Sequence, residues 1–213
     1  MGRSILKKDK KYTFSDYFEF SYSTKDVLEE FGYTYCFEEL VLPKTSQNLS
    51  QANALRETYT KKLPYISLTS EAAKREFYIS PLLLELLNYI PTAIDVEYPL
   101  DAGKNLSGTV DYLLQSTHHE TVILEAKKGD LEKGFTQLAV ELIALDKLLK
   151  PEQSLIYGAV TLGDVWRFGV LDRSTGTIKK DMNAYSLLPD VHKVLSVLVG
   201  ILECNISQEL PKN

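Results

Sequence analysis

Ser107-Gly108-Thr109-Val110-Asp111-Tyr112-Leu113-Leu114 and Thr121-Val122-Ile123-Leu124-Glu125-Ala126-Lys127 are two apolar runs flanking the polar segment Gln115-Ser116-Thr117-His118-His119-Glu120. Each run has the length and the β-branched or aromatic content of a strand, and the polar segment reads as a hairpin tip. If Val110 faces Ala126, Tyr112 faces Leu124 and Leu114 faces Val122, one face of the hairpin is entirely apolar. The other face then pairs Thr109 with Lys127, Asp111 with Glu125 and Leu113 with Ile123. A slip of one residue exchanges the faces of one strand, so the apolar pattern selects this register as the expectation.

In that register two carboxylates stand opposite each other, with Cβ atoms about 5 Å apart. At an effective dielectric of about 20 their repulsion is roughly 3 kcal/mol. A divalent cation between them would turn repulsion into binding, and oxygen ligands suit Mg²⁺, with Mn²⁺ as a substitute. Lys127 lies two residues beyond Glu125 and shares its face. An ammonium there can orient a metal-bound water and stabilise charge developing on a phosphate. The plainer reading is a solvent-facing patch of two acids and a lysine making weak pairs.

Working outward, Ala93 to Leu100 alternates with period two and adds a third strand. Before it, Ser70 is a candidate N-cap for a helix whose apolar face runs through Ala73, Phe77, Leu83, Leu84, Leu86, Leu87 and Ile90. Pro81 should interrupt that helix and Pro91 should end it. After the hairpin, Asp130 opens a helix to Leu149, with Phe135, Leu138, Leu142, Leu145 and Leu149 at helical spacing. Strands at Leu155 to Thr161 and Val165 to Leu171, an edge strand within 177–186 and a closing helix from Asp190 to Glu203 complete the series. The order predicts an α/β fold, a mixed sheet flanked by helices. Residues 66–213 form its core, and residues 1–65 an N-terminal extension packed on it. The extension should hold a helix from Thr24, capped by Thr24 and ended by Gly32, a strand at Tyr35 to Leu42 and a short helix around Ala52 to Tyr59. Residues 1–13, with Arg3, Lys7, Lys8, Lys10 and Lys11, read either as a polar mobile tail or as a phosphate-contacting arm.

The set Gly108-x-x-Asp111 followed by Glu125-Ala126-Lys127, with its flanking helices and strand order, resembles the PD-(D/E)XK nuclease superfamily over residues 66–172. The resemblance implies a restriction-endonuclease-like fold and Mg²⁺-dependent hydrolysis of a phosphodiester in nucleic acid, with DNA the expected substrate. It implies that Asp111 and Glu125 are metal ligands, that the Ala126 carbonyl is a further ligand, and that Lys127 is the catalytic lysine. Val110 stands where the motif's name has proline. The family also implies a helix glutamate facing the metal, for which Glu71 is favoured over Glu76, and a glutamine on the following helix, here Gln137 in a polar stripe with Lys133 and Glu141. Glu97 could add a carboxylate from the neighbouring strand. The alternative is a catalytically silent module of the same fold that binds nucleic acid or a protein partner.

Net charge is -5, so the chain as a whole does not advertise nucleic-acid binding, and any basic cleft must be local. Two distant cysteines, Cys36 and Cys204, lack metal-ligand spacing and read as thiols of a reduced, cytoplasmic protein. No apolar run has the length of a membrane span. His118 and His119 at the hairpin tip read as exposed turn residues, and Trp166 as a packing residue. Phosphate-loop, dinucleotide, nucleophile-elbow and zinc signatures do not occur. Cleavage of both strands of a duplex would favour a homodimer.

Overall fold

The computed structural model describes residues 4–7, 9–116, 120–125, 129–149 and 153–203, with residues 120–125 described as backbone. The elements are α1 (Phe14–Phe18), α2 (Thr24–Glu30), β1 (Thr34–Glu38), α3 (Ala52–Lys62), α4 (Glu71–Lys74), α5 (Ser80–Leu86), β2 (Ala93–Asp101), β3 (Ser107–Gln115), β4 (Glu120–Glu125), α6 (Leu131–Leu148), β5 (Leu155–Thr161), β6 (Val165–Asp172), β7 (Thr177–Asp181), β8 (Tyr185–Ser186) and α7 (Val191–Glu203). The strands form one mixed sheet in the order β1-β7-β6-β5-β4-β3-β2, with β8 paired to β6. β4 and β5 run parallel, as do β1 and β7, and the remaining pairs are antiparallel. The α/β architecture expected from the sequence is therefore present as a mixed sheet with helices on both faces.

Two apolar cores lie on opposite sides of that sheet. One gathers Leu82, Leu86, Tyr112, Leu114, Trp166, Phe168 and Leu198 beneath α3, α5 and α7. The other gathers Phe14, Tyr17, Leu28, Leu113, Phe135, Leu142 and Ile156 beneath α6, on which α1 and α2 pack in turn. A parallel β4–β5 pair needs a crossover, and α6 supplies it. Asp130 caps α6, accepting from the backbone N–H groups of Glu132 and Lys133 at 3.0 Å each. Because α6 is covered by the sheet on one side and by α1 and α2 on the other, every residue from Gly134 to Leu145 is buried. Full burial of one aromatic such as Phe135 stabilises the fold by about 1.5–3 kcal/mol.

Several expectations need correction. Ser23, not Thr24, caps α2: its Oγ accepts from Asp26 N at 3.2 Å, while Asp26 reaches back to Ser23. Thr24 is free to bond Thr136 on α6 at 2.7 Å. Leu84 and Leu87, expected on the apolar face of the helix before β2, are exposed. Residues 177–181 are not an edge. β7 lies between β6 and β1, and β1, drawn from the N-terminal segment, forms the rim. The first residues are less tail-like than their composition suggests: Ile5 N donates to Glu30, and Tyr12 is buried. Trp166 is a packing residue as expected, fully buried, with Nε1 donating to Gly163 O. His118 and His119 lie outside the described residues.

The β3–β4 register also differs. The ladder pairs Tyr112 with Ile123, Leu113 with Val122 and Leu114 with Thr121, one step from the expected alignment. The apolar pattern misleads because Leu113 and Leu114 are both buried, one under each helical layer. Apolar pattern discriminates registers only where one face is wet.

Gly108 carries φ +152°, and a Cβ there would lie 2.8 Å from the Phe14 ring and 3.2 Å from its backbone nitrogen. Gly108→Ala is expected to destabilise the fold by about 1–3 kcal/mol, read as a lower urea midpoint at unchanged slope. A midpoint equal to wild type would show that α1 does not seat on β3 this closely.

Candidate functional site

The site forms at the middle of β3, beside β2. The β2–β3 ladder is continuous from Ala93↔Gln115 to Val96↔Tyr112 and again from Tyr98↔Val110 to Asp101↔Ser107, but Glu97 and Asp111 do not pair across it. Glu97 has φ +54°, the one positive value among the described residues other than glycine. Side-chain alternation changes phase at this break. Tyr112 and Leu114 pack into the core under α5 and α7, whereas Val110 packs into the core under α6. The expectation that Val110, Tyr112 and Leu114 share a face is therefore corrected: the break turns the end of β3 over, and Asp111 sits at the turning point.

Asp111 is 8 % exposed. Arg75 reaches it from the helical layer, with Nη1 3.8 Å from Asp111 Oδ1 and 3.3 Å from Glu97 Oε1. Arg75 Nε donates to the Tyr112 hydroxyl at 3.5 Å, and the guanidinium lies 5.2 Å from the Tyr112 ring centre. Burial pulls the Arg75 pKa down, but the Tyr112 hydrogen bond and the charges of Asp111 and Glu97 outweigh it, so the net shift is upward and the guanidinium stays charged.

Local sequence explains how Arg75 arrives there. Ser70 caps α4 as expected, accepting from Ala73 N at 3.1 Å. Pro81 has no N–H to donate, and the chain ahead of it widens into a π-helical turn over Arg75–Ile79. Ser80 Oγ donates to the Arg75 carbonyl at 2.9 Å within this turn. A cleft of about 290 Å³ lies beside it, lined by Ala72, Arg75, Glu76, Ser80, Val96 and Tyr112.

The expected site residues distribute as follows. Asp111 stands at the middle of β3 beside Arg75 and Glu97. Glu125 pairs as backbone with Thr161 of β5, and the β3–β4 register, carried one residue on from Tyr112↔Ile123, puts Leu124 rather than Glu125 across from Asp111, so the expected Asp111–Glu125 pairing is corrected. Ala126 and Lys127 lie outside the described residues. Glu71 is exposed in the first turn of α4, and Glu76 rather than Glu71 lines the cleft. Gln137 is buried and donates to Glu141 Oε1 at 3.0 Å, so the expected polar stripe on α6 is internal from Gln137 onward, with Lys133 exposed at its start. Nothing in the sequence marks Arg75 as the partner of Asp111: it stands beside Glu76 among the ordinary charges of an amphipathic helix.

Among the described residues no group of three or more His, Cys, Asp or Glu side chains is close enough to hold a metal ion. The donors present are carboxylate oxygens, which suit a hard divalent cation in kind. Comparison with protein-family models, with curated proteins and with solved structures returns no match. No described helix is long and apolar enough to cross a membrane.

If Arg75 neutralises Asp111 across 3.8 Å, the two should couple energetically. A double-mutant cycle with Arg75→Met and Asp111→Asn is expected to give about 1 kcal/mol of coupling in denaturant unfolding. Additive effects would mean that the pair contributes nothing to the folded state.

Proposed function

We propose that this chain is a metal-dependent phosphodiesterase acting on nucleic acid, DNA first among the candidates, with a restriction-endonuclease-like core. The observation that carries the reading is the placement of Asp111 at the β2–β3 ladder break, on the strand next to the one that carries Glu125. The order of elements supports it: a helical segment, an antiparallel β2–β3–β4 meander, then α6 crossing to a parallel β5.

In this reading Asp111, Glu125 and the Ala126 carbonyl hold Mg²⁺, or Mn²⁺ in its place. The bound ion supplies an activated water and a positive charge against the phosphate. Lys127 orients that water and meets charge developing on the phosphate oxygens. Glu76 takes the helix-carboxylate role for which Glu71 was favoured, because Glu76 lines the cleft beside Arg75. Gln137 acts from within α6 by fixing the buried Glu141.

One observation favours the second reading, a module of this fold that binds nucleic acid or a protein partner without cleaving it. Arg75 already brings a positive charge to Asp111 and Glu97, which is the charge a metal would supply.

Cleavage of labelled single-stranded and duplex DNA and RNA with Mg²⁺ or Mn²⁺ separates the readings. The wild-type chain should cleave at least one, EDTA should abolish cleavage, and Asp111→Asn, Glu125→Gln and Lys127→Ala should each lower the rate by about 10²–10³-fold. Titration calorimetry with Mn²⁺ should show binding that Glu125→Ala removes. Mn²⁺ binding indifferent to Glu125, together with no cleavage of any substrate, would leave the binding module standing.

A further inference from the structure

A second charged cluster lies on the α6 face of the sheet, at the end of the strands from which α6 departs. Lys180 of β7 is 2 % exposed. Its ammonium sits between two aromatic rings, 5.3 Å from the centre of Phe135 and 5.3 Å from that of Phe37. Glu132, in the first turn of α6, bonds Lys180 through Oε2 and Arg167 Nη1 through Oε1, the latter at 3.1 Å. The Glu132 side chain remains 68 % exposed, and Phe37 is 50 % exposed on the rim strand. The Nε of Arg167 is buried and makes no hydrogen bond among the described residues.

Such a cluster is unusual for a purely structural ion pair. A buried lysine is costly, and burial does lower the Lys180 pKa, opposed first by its bond to Glu132; the charge of Arg167 lowers it further and that of Asp130 raises it. Yet its neutralising partner is a solvent-facing carboxylate that also serves a second cation. Each Glu132 oxygen meets a different cation, which is how the two non-bridging oxygens of a phosphodiester would meet them. Asp130 is committed to capping α6. The exposed Phe37 ring lies beside the Lys180 ammonium, and Met182, 54 % exposed, follows the strand that carries Lys180.

We propose that Arg167, Lys180 and Phe37 form a subsite for a single-stranded nucleic acid, in which a backbone phosphate displaces the Glu132 carboxylate and a base stacks on Phe37. Cations tracking the backbone and an aromatic face that accepts any base are the ordinary components of such sites. This inference rests on nucleic acid being the substrate under the proposed function. Arg167 shares a Cα row with Val160 and Leu124, the residue before Glu125. With strands about 4.8 Å apart, Arg167 lies three strands from β3, roughly 14 Å from the candidate site, and Phe37 five strands away, roughly 24 Å. The Arg75 cleft opens on the α5 side of the sheet and this cluster lies on its α6 side, so a strand held at both would pass around the end of the sheet, with its scissile phosphate at Asp111.

The test is fluorescence anisotropy of a labelled oligo-dT with the full chain in EDTA, where metal-dependent cleavage is silent. Glu132→Gln removes the internal competitor and is expected to tighten binding about five- to tenfold and to steepen its salt dependence. Phe37→Ala should weaken binding by about tenfold or more, with Phe37→Tyr restoring it. Arg167→Gln should weaken it by about the same factor. Both Glu132 and Phe37 have exposed side chains, so circular dichroism should report folded variants. Weaker or unchanged binding in Glu132→Gln would overturn the inference, because a structural role alone predicts loss on removing the carboxylate. Poly-glutamate binding more tightly than oligo-dT would overturn it in favour of an acidic protein partner. Tight oligo-dT binding in EDTA, with no cleavage of any of the DNA and RNA substrates in Mg²⁺ or Mn²⁺, would reject the phosphodiesterase reading and keep this subsite, and cleavage without oligo-dT binding would reject the subsite alone.

Discussion

The parallel pairing of β4 with β5 constrains everything around it. After β4 the chain must cross the sheet before it can return in the same direction. α6 makes that crossing and is wrapped on all sides, by the sheet beneath it and by α1 and α2 above. Its first turn therefore has a fixed position at one end of the sheet, and both charged clusters gather near that end. Asp111 and Arg75 meet beside the ladder pair Tyr112↔Ile123, while Glu132 projects from the opening turn of α6 toward Arg167 and Lys180.

Much of this architecture is legible in the residues. Phe135, Leu138, Leu142 and Leu145 recur at helical spacing, and the helix runs Leu131–Leu148, within a residue of what that spacing predicts at either end. β5 and β6 are apolar runs bounded by turn residues and occur where those runs do. Two features were not legible, for different reasons. The β3–β4 register depends on which face is dry, and β3 has two dry faces. The β1–β7 pairing joins residues so far apart that neither segment carries a local mark of the other.

The candidate site divides in the same way. Asp111 and Glu125 could be picked out because acids are conspicuous in apolar strands. Arg75 could not, since its reach toward Asp111 depends on the widened turn before Pro81 and on the break at Glu97. Lys180 looks like a surface lysine in Thr177-Ile178-Lys179-Lys180-Asp181, and only the position of β7 inside the sheet makes it internal. The polar pair Gln137 and Glu141 resembles a solvated helix face until α6 is seen to have none there. In each case a feature of the third dimension reverses the meaning of a residue that its neighbours in sequence describe correctly.

The rim strand has a consequence for how the molecule comes into being. Thr34 and Thr177 touch across a separation of 143 residues, so β1 has no partner until β7 has been synthesised and docked. Closing so large a loop costs entropy that grows only slowly with its length, yet such distant pairings form late and slow the search for the native state. The early-made segment must wait, its sheet-forming edge unsatisfied, while the meander and the α6 crossover assemble. Phe37 therefore meets the ammonium of Lys180 only once this long-range pairing has closed.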